Sequence, residues 1–274
     1  PGVQVFQPSR RFSMGRLSIT DEFIRLAGVS KRYDSKKGSV DAVAPVDLCI
    51  NRGEFISLLG PSGCGKSTML MMIAGLLDCT EGSIHIDGER VVKPQTNIGI
   101  VFQNLVLVDW RDILGNVMLQ VEMRKLNVKD FEVRARELLA SVGLEGFLRH
   151  HPYELSGGMQ QRTAFCRALV HDPPLVLMDE PLGALDAMTR EQLRKDLEKL
   201  WMDTGKTFVF VTHDISEAVQ LSDRVIIISP RPGKIDAEIT VDLPRPRDFD
   251  VMQSDEFHQY VKDISSIFMG YGVI

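Results

Sequence analysis

Residues 60–68, GPSGCGKST, combine three glycines, a lysine and the adjacent hydroxyls of Ser67 and Thr68 directly after the apolar run EFISLLG. Gly60, Gly65, Lys66 and Ser67 satisfy the spacing G-x-x-x-x-G-K-[ST] between a strand and a helix. The chemistry is that of a phosphate cradle. Glycines let backbone N–H groups converge on phosphate oxygens, the following helix N-terminus adds partial positive charge, and Lys66 adds a full one. Pro61, Ser62, Gly63 and Cys64 form the rest of the loop, and Ser67 is placed to ligate Mg²⁺.

Two further groups belong with phosphate chemistry. Asp179 closes the run LVLM, where it is placed to hold Mg²⁺ through water, and the next residue, Glu180, is placed to polarise an attacking water. The segment LSGGMQQR at 155–162 puts Ser156, Gly157 and Gly158 at the start of an apolar helix that also carries Gln160. A hydroxyl, bare N–H groups and a helix dipole make this a second anion site. It follows the phosphate loop by ninety residues, and the sequence leaves open whether the two sites meet in one molecule or across two.

The elements around these groups predict an α/β chain with a mainly parallel sheet. Residues 22–29, 46–50 and 82–88 alternate apolar with polar or small residues, which suggests a small antiparallel sheet beside the phosphate-loop core. LMMIAGLL at 70–77 is apolar nearly all round and predicts a buried helix starting near Lys66. Between about 106 and 165 the pattern turns helical, with Phe131, Ala135, Leu138, Leu139 and Val142 on one stripe, and predicts a helical subdomain inserted in the core. LVLM at 175–178 has no polar member, as expected of a central parallel strand. A helix carrying Leu193, Leu197, Leu200 and Trp201, capped by Thr189, then leads to FVFVT at 208–212, a helix over 215–221 and RVIIIS at 224–229. This alternation favours parallel βαβ units. After Pro244 and Pro246, residues 255–268 predict a terminal helix, and residues 1–20 read as a flexible leader.

Composition narrows the partners. A net charge of -5 offers no basic field for nucleic acid, and no apolar run approaches the ~20 residues of a membrane-spanning helix. Cys49, Cys64, Cys79 and Cys166 lack paired or metal-like spacing and read as small, reduced, buried thiols. His150 and His151 precede a proline and read as a solvated turn rather than a metal pair.

With the LSGG segment beside the phosphate loop, residues 21–248 resemble the ATP-binding subunit of an ABC transporter, with 249–274 as a C-terminal helical extension. The resemblance implies the ABC ATPase fold: a P-loop NTPase core, a small antiparallel β subdomain and an inserted helical subdomain. It implies ATP and Mg²⁺ as cofactors and a head-to-tail dimer with a second copy or a homologous subunit. In that dimer Ser156 of one copy would close over ATP bound at Lys66 of the other. It also implies that Tyr33 in VSKRYD, before a long loop, stacks on adenine; that Gln103 in GIVFQN senses Mg²⁺ and the attacking water; that Asp186 with Leu185 crosses the interface; and that His213 contacts the γ-phosphate. Integral membrane permease subunits and, indirectly, an extracytoplasmic solute-binding protein are the implied partners, at the cytoplasmic face of the inner membrane.

VLVDWRDILGNV, LDAMTREQL and PRPRD are similar to the nitrate, sulfonate, taurine and bicarbonate importer group, with Val108 and Asp109 departing from its usual leucine and proline. The alternatives are a soluble ABC-type assembly ATPase and an importer ATPase for another cargo, such as a nucleobase precursor or a lipid.

Overall fold

The computed structural model describes residues 21–35, 38–183 and 185–272; the leader expected over 1–20 lies outside them. The described chain builds two sheets and a set of helices around three apolar clusters. The first sheet is antiparallel, in the order β2(Gly38–Asn51), β1(Glu22–Ser35), β4(Glu81–Ile86), β5(Glu89–Arg90). β1 and β2 are longer than the alternation suggested. β1 and β2 pair as far as Ser35 and Gly38, so Tyr33 stands near the end of a hairpin and not before a long loop.

The second sheet has six strands, in the order β10(Ile235–Thr240), β9(Arg224–Ile228), β3(Phe55–Leu59), β8(Thr207–Thr212), β7(Leu175–Asp179), β6(Ile98–Val101). All pairs are parallel except β10 with β9 at one edge. The uninterrupted apolar runs follow from burial on both faces. In β8, Phe208 and Phe210 enter one cluster while Val209 and Val211 enter the other, and Val176 and Met178 of β7 alternate with Leu175 and Leu177 in the same way.

Helix α1(Lys66–Ile73) lies between the two sheets, where Met69, Leu70, Met72 and Ile73 are all buried. The opposite face of the large sheet is covered by α2(Ile113–Met123), α3(Val128–Ser141), α4(Gly157–Leu169) and α5(Ala187–Thr204), the middle of the chain being helical as its patterning predicted. Ala135 and Leu139 are the buried members of the stripe on α3. At the β10 edge, α6(Ile215–Leu221) and α8(Asp255–Gly270) pack together, α8 following the short α7(Phe249–Met252).

Two further expectations change. Asp186, not Thr189, caps α5: its carboxylate accepts from the Thr189 N–H at 3.0 Å, three residues into the helix. Cys49 is exposed, with its thiol 3.2 Å from Glu22 Oε2, whereas Cys64 and Cys166 are buried as expected and Cys79 is partly so.

Candidate nucleotide site

Parallel strands deliver the groups that follow them to one edge of the sheet. β3 leads into the phosphate loop, β7 ends on Asp179 and runs on to Glu180, and β8 is followed by His213. These neighbours in the sheet surround a cavity of about 400 Å³, lined among others by Ser62, Gly63, Gly65, Lys66, Ser67 and Thr68. Gln103, just beyond β6, and Glu180 reach the same cavity, and Tyr33 closes it from the antiparallel sheet with its hydroxyl 3.5 Å from Thr68 Oγ1.

The glycines are required by space. A Cβ on Gly65, which has φ of 105°, would meet the Ala42 carbonyl oxygen at 2.8 Å, and one on Gly60 would meet that of Ile228 at 2.7 Å. Lys66 is buried, and its Nζ donates to the carbonyls of Gly60 and Pro61 at 2.8 and 3.0 Å. The ammonium is thus aimed by the backbone of its own loop, 3.9 Å from Glu180 Oε1.

Ser67 Oγ donates to Asp179 Oδ1 at 2.8 Å. Burial raises the pKa of Asp179 against that bond, with the Glu180 charge adding to the rise. A hydroxyl on the cavity wall and a desolvated carboxylate bonded to it are the hard oxygen donors that suit Mg²⁺, so the residues present fit that ion.

Glu180 has a positive φ of 43°, its N–H donating to the Val211 carbonyl at 3.0 Å while its own carbonyl accepts from Gly183 at 3.3 Å. The turn carries the carboxylate between two groups: Oε2 lies 3.2 Å from His213 Nδ1. His213 itself is exposed and lines a smaller recess with Glu180, Arg190, Thr212 and Glu217. Glu217 accepts from Thr212 Oγ1 at 2.7 Å, and burial raises its pKa.

The second anion site is placed elsewhere. Ser156 caps α4, its Oγ accepting from Met159 N–H at 3.4 Å, and both Ser156 and Gly157 are exposed. Gly158 is buried because α5 crosses there: a Cβ on it would lie 2.4 Å from Thr189 Cγ2. Gln160 turns back to the Pro152 and Leu155 carbonyls, and Asp186 beside Thr189 is exposed. Hydrogen bonds from Thr189 hold the Asp186 carboxyl below the usual carboxylate range. None of Ser156, Gly157, Gly158, Gln160 or Asp186 lines the phosphate-loop cavity.

Three lining residues, Val40, Ala42 and Arg231, carried no signal in the sequence. Arg231, in the turn between β9 and β10, reaches the cavity only because β9 lies beside β3.

Residues 43–183 match the family model described as ABC transporter. Among curated relatives, a taurine import ATP-binding protein of Jannaschia sp. is 45% identical over 78% of this chain and 81% of its own length. An aliphatic sulfonates import ATP-binding protein of Bacillus cereus is 42% identical over 90% of this chain and 96% of its own. A solved dimer of an ATP-binding cassette in a post-hydrolysis state, bound to ADP and Pi, superposes with a TM-score of 0.69 at 35% identity, covering 80% of this chain and 98% of that one. The chain belongs to the ABC transporter family, as one of its ATP-binding and ATP-hydrolysing subunits.

Proposed function

We propose that the chain powers import of a small organic anion of the taurine and alkanesulfonate class through separate membrane permease subunits. The observation that carries the ATPase part is convergence: Lys66, Ser67, Gln103 and Glu180 meet at one cavity, with Asp179 bonded to Ser67 and His213 against Glu180. The cargo class rests on the names of the relatives.

In this reading the N–H groups of residues 62–68 and the Lys66 ammonium bind the β- and γ-phosphates of ATP, and Tyr33 stacks on the adenine. Ser67 and Asp179, with Gln103 nearby, hold Mg²⁺, which when bound neutralises charge on the phosphoryl oxygens. Glu180 orients the attacking water and accepts its proton, while Lys66 and His213 stabilise the charge that builds on the transferring phosphoryl group. Placing Ser156 and Asp186 away from this cavity suits a head-to-tail dimer, in which the N-terminus of α4 from a second copy supplies the missing donors.

Val106, Trp110 and Tyr153 are large exposed apolar groups; the first two follow Gln103 within seven residues, and Tyr153 stacks on His151, whose Nδ1 lies 3.2 Å from the Asp109 carbonyl. They favour docking of a membrane subunit over free assembly work. No helix among the described residues is long and apolar enough to cross a membrane. As the ATP-hydrolysing partner of membrane permease subunits, the protein would act at the cytoplasmic face of the inner membrane. The test is to isolate the tagged chain from its native membranes in Mg-ATP, identify its companions and reconstitute the complex. A multi-span companion, and ATP turnover that rises with taurine or an alkanesulfonate when the solute-binding protein is added, is the expected result. A soluble companion in place of a membrane one would refute it.

A further inference from the structure

The turn of residues 229–234 presses on the phosphate loop at three places. At its start, the Ile228 carbonyl oxygen lies 2.7 Å from where a Cβ on Gly60 would be. At its end, Gly233 packs so tightly that a Cβ there would fall 1.9 Å from the Cys64 carbonyl oxygen. Between them, Arg231 donates through both Nε and Nη2 to the Gly63 carbonyl, at 3.2 and 3.1 Å. The turn is itself tied down: Ser229 N–H donates to the Lys234 carbonyl, and Gly233 exchanges bonds with β2, from its N–H to Ala42 and to its carbonyl from Ala44. It is a fixed platform beneath the loop that holds the phosphates.

We propose that Arg231 is a positioning residue for the triphosphate, acting through Gly63. A trans peptide unit holds its C=O and N–H on opposite sides. Pulling the Gly63 carbonyl outward onto the guanidinium therefore turns the Cys64 N–H into the loop, where it donates to the Pro61 carbonyl at 3.4 Å, the same carbonyl that accepts from Lys66 Nζ at 3.0 Å. Gly63, with φ of 75°, has a backbone free to turn the other way, so an outside anchor is needed to hold this orientation. The guanidinium also brings a second fixed positive charge to the cavity that holds Lys66. Arg231 is exposed, so its bonds fix the loop without forming part of the core.

This inference rests on the ATP-site reading, and the experiment separates the two. Full-length protein and its Arg231→Ala and Arg231→Lys variants are titrated calorimetrically with magnesium adenylyl imidodiphosphate, and KM, kcat and thermal midpoint are measured in parallel. Losing a hydrogen bond from a charged donor predicts an affinity about tenfold weaker in Arg231→Ala, appearing in KM, with kcat at saturation within about threefold. Arg231→Lys, which keeps the charge and a donor, recovers most of the affinity. Equal affinity in Arg231→Ala and the unsubstituted protein overturns the proposal, as does a loss confined to kcat or one that lysine leaves unrepaired. A midpoint that falls in step with affinity across both variants overturns it too. If the unsubstituted protein fails to bind the analogue, the ATP-site reading itself is refuted.

Discussion

Replacing Glu180 by glutamine separates the chemical step from nucleotide binding. The amide matches the carboxylate in shape and keeps an oxygen for the His213 contact at 3.2 Å, but it cannot take a proton from water. A general base of this kind contributes about 10² to 10⁴ in rate, so turnover falls by that factor, about 2.7 to 5.5 kcal/mol of barrier. Binding moves the other way. Glu180 Oε1 stands 3.9 Å from Lys66 Nζ, where two unit charges at an effective dielectric of about 20 attract by roughly 4 kcal/mol before solvation is subtracted. That attraction draws on the same ammonium that receives the phosphates. Removing it, along with the repulsion between carboxylate and γ-phosphate, leaves a net gain of about 1 to 2 kcal/mol after desolvation, or roughly five- to thirtyfold tighter ATP. Phosphate release, ATP titration and gel filtration in Mg-ATP read the three consequences, the last as a stable dimer. Turnover above about a tenth of the unsubstituted rate removes Glu180 from the role of base. A monomer in Mg-ATP refutes the two-copy site.

Lys66→Ala removes a buried, backbone-aimed cation, and ATP affinity falls about ten- to a hundredfold while far-ultraviolet circular dichroism is unchanged; unaltered binding would disprove its role. Arg247 is 1% exposed and donates to the carbonyls of Val219, Gln220, Ser222, Val241 and Leu243, so Arg247→Ala strands several buried acceptors. The expected loss is about 3 to 5 kcal/mol in urea unfolding, and a loss below about 1 kcal/mol would contradict it. His171, buried with Nε2 at 3.2 Å from the Ile98 carbonyl and with Arg124, Arg134 and Asp172 around it, has its pKa lowered to about 4, chiefly by burial. A depressed histidine stabilises the fold above its unfolded value near 6.5 and loses that contribution as pH falls toward 4, with a slope of at most about 1.4 kcal/mol per unit. His171→Gln removes this slope from the stability profile; parallel profiles would show that His171 does not titrate with unfolding.

Legibility in the sequence followed how local each determinant is. The phosphate loop, the Asp179–Glu180 pair and the Ser156 cap are read from adjacent residues, and they stand at the strand and helix ends those residues predict. The buried strands were legible because β3, β7, β8 and β9 are covered on both faces and are apolar between their end residues, Ser57 in β3 excepted. β6 was missed: it is four residues long and carries Gly99, whose missing side chain admits the Ala168 carbonyl at 2.4 Å from where a Cβ would be. β10 was missed because an edge strand of half-exposed residues has no alternation to read. Asp186 and Thr189 are both acceptable caps three residues apart, and only the geometry of the turn selects the first. Arg231 depends on β9 lying next to β3, a pairing across more than 160 residues that no local pattern encodes. The separation of Ser156 from Lys66 is likewise a property of the assembled sheet and helices.

The left-handed backbone at Glu180 has a consequence for engineering. An ordinary side chain held at a φ of 43° stores about 1 kcal/mol of strain. Asparagine tolerates that conformation better than glutamate, so exchanging the carboxylate for it would relax the turn while removing the group that handles water. Heat resistance and turnover therefore pull in opposite directions at this one position. A library of variants sorted by survival at high temperature alone would enrich chains that last longer and hydrolyse nothing, unless phosphate release is scored in the same screen.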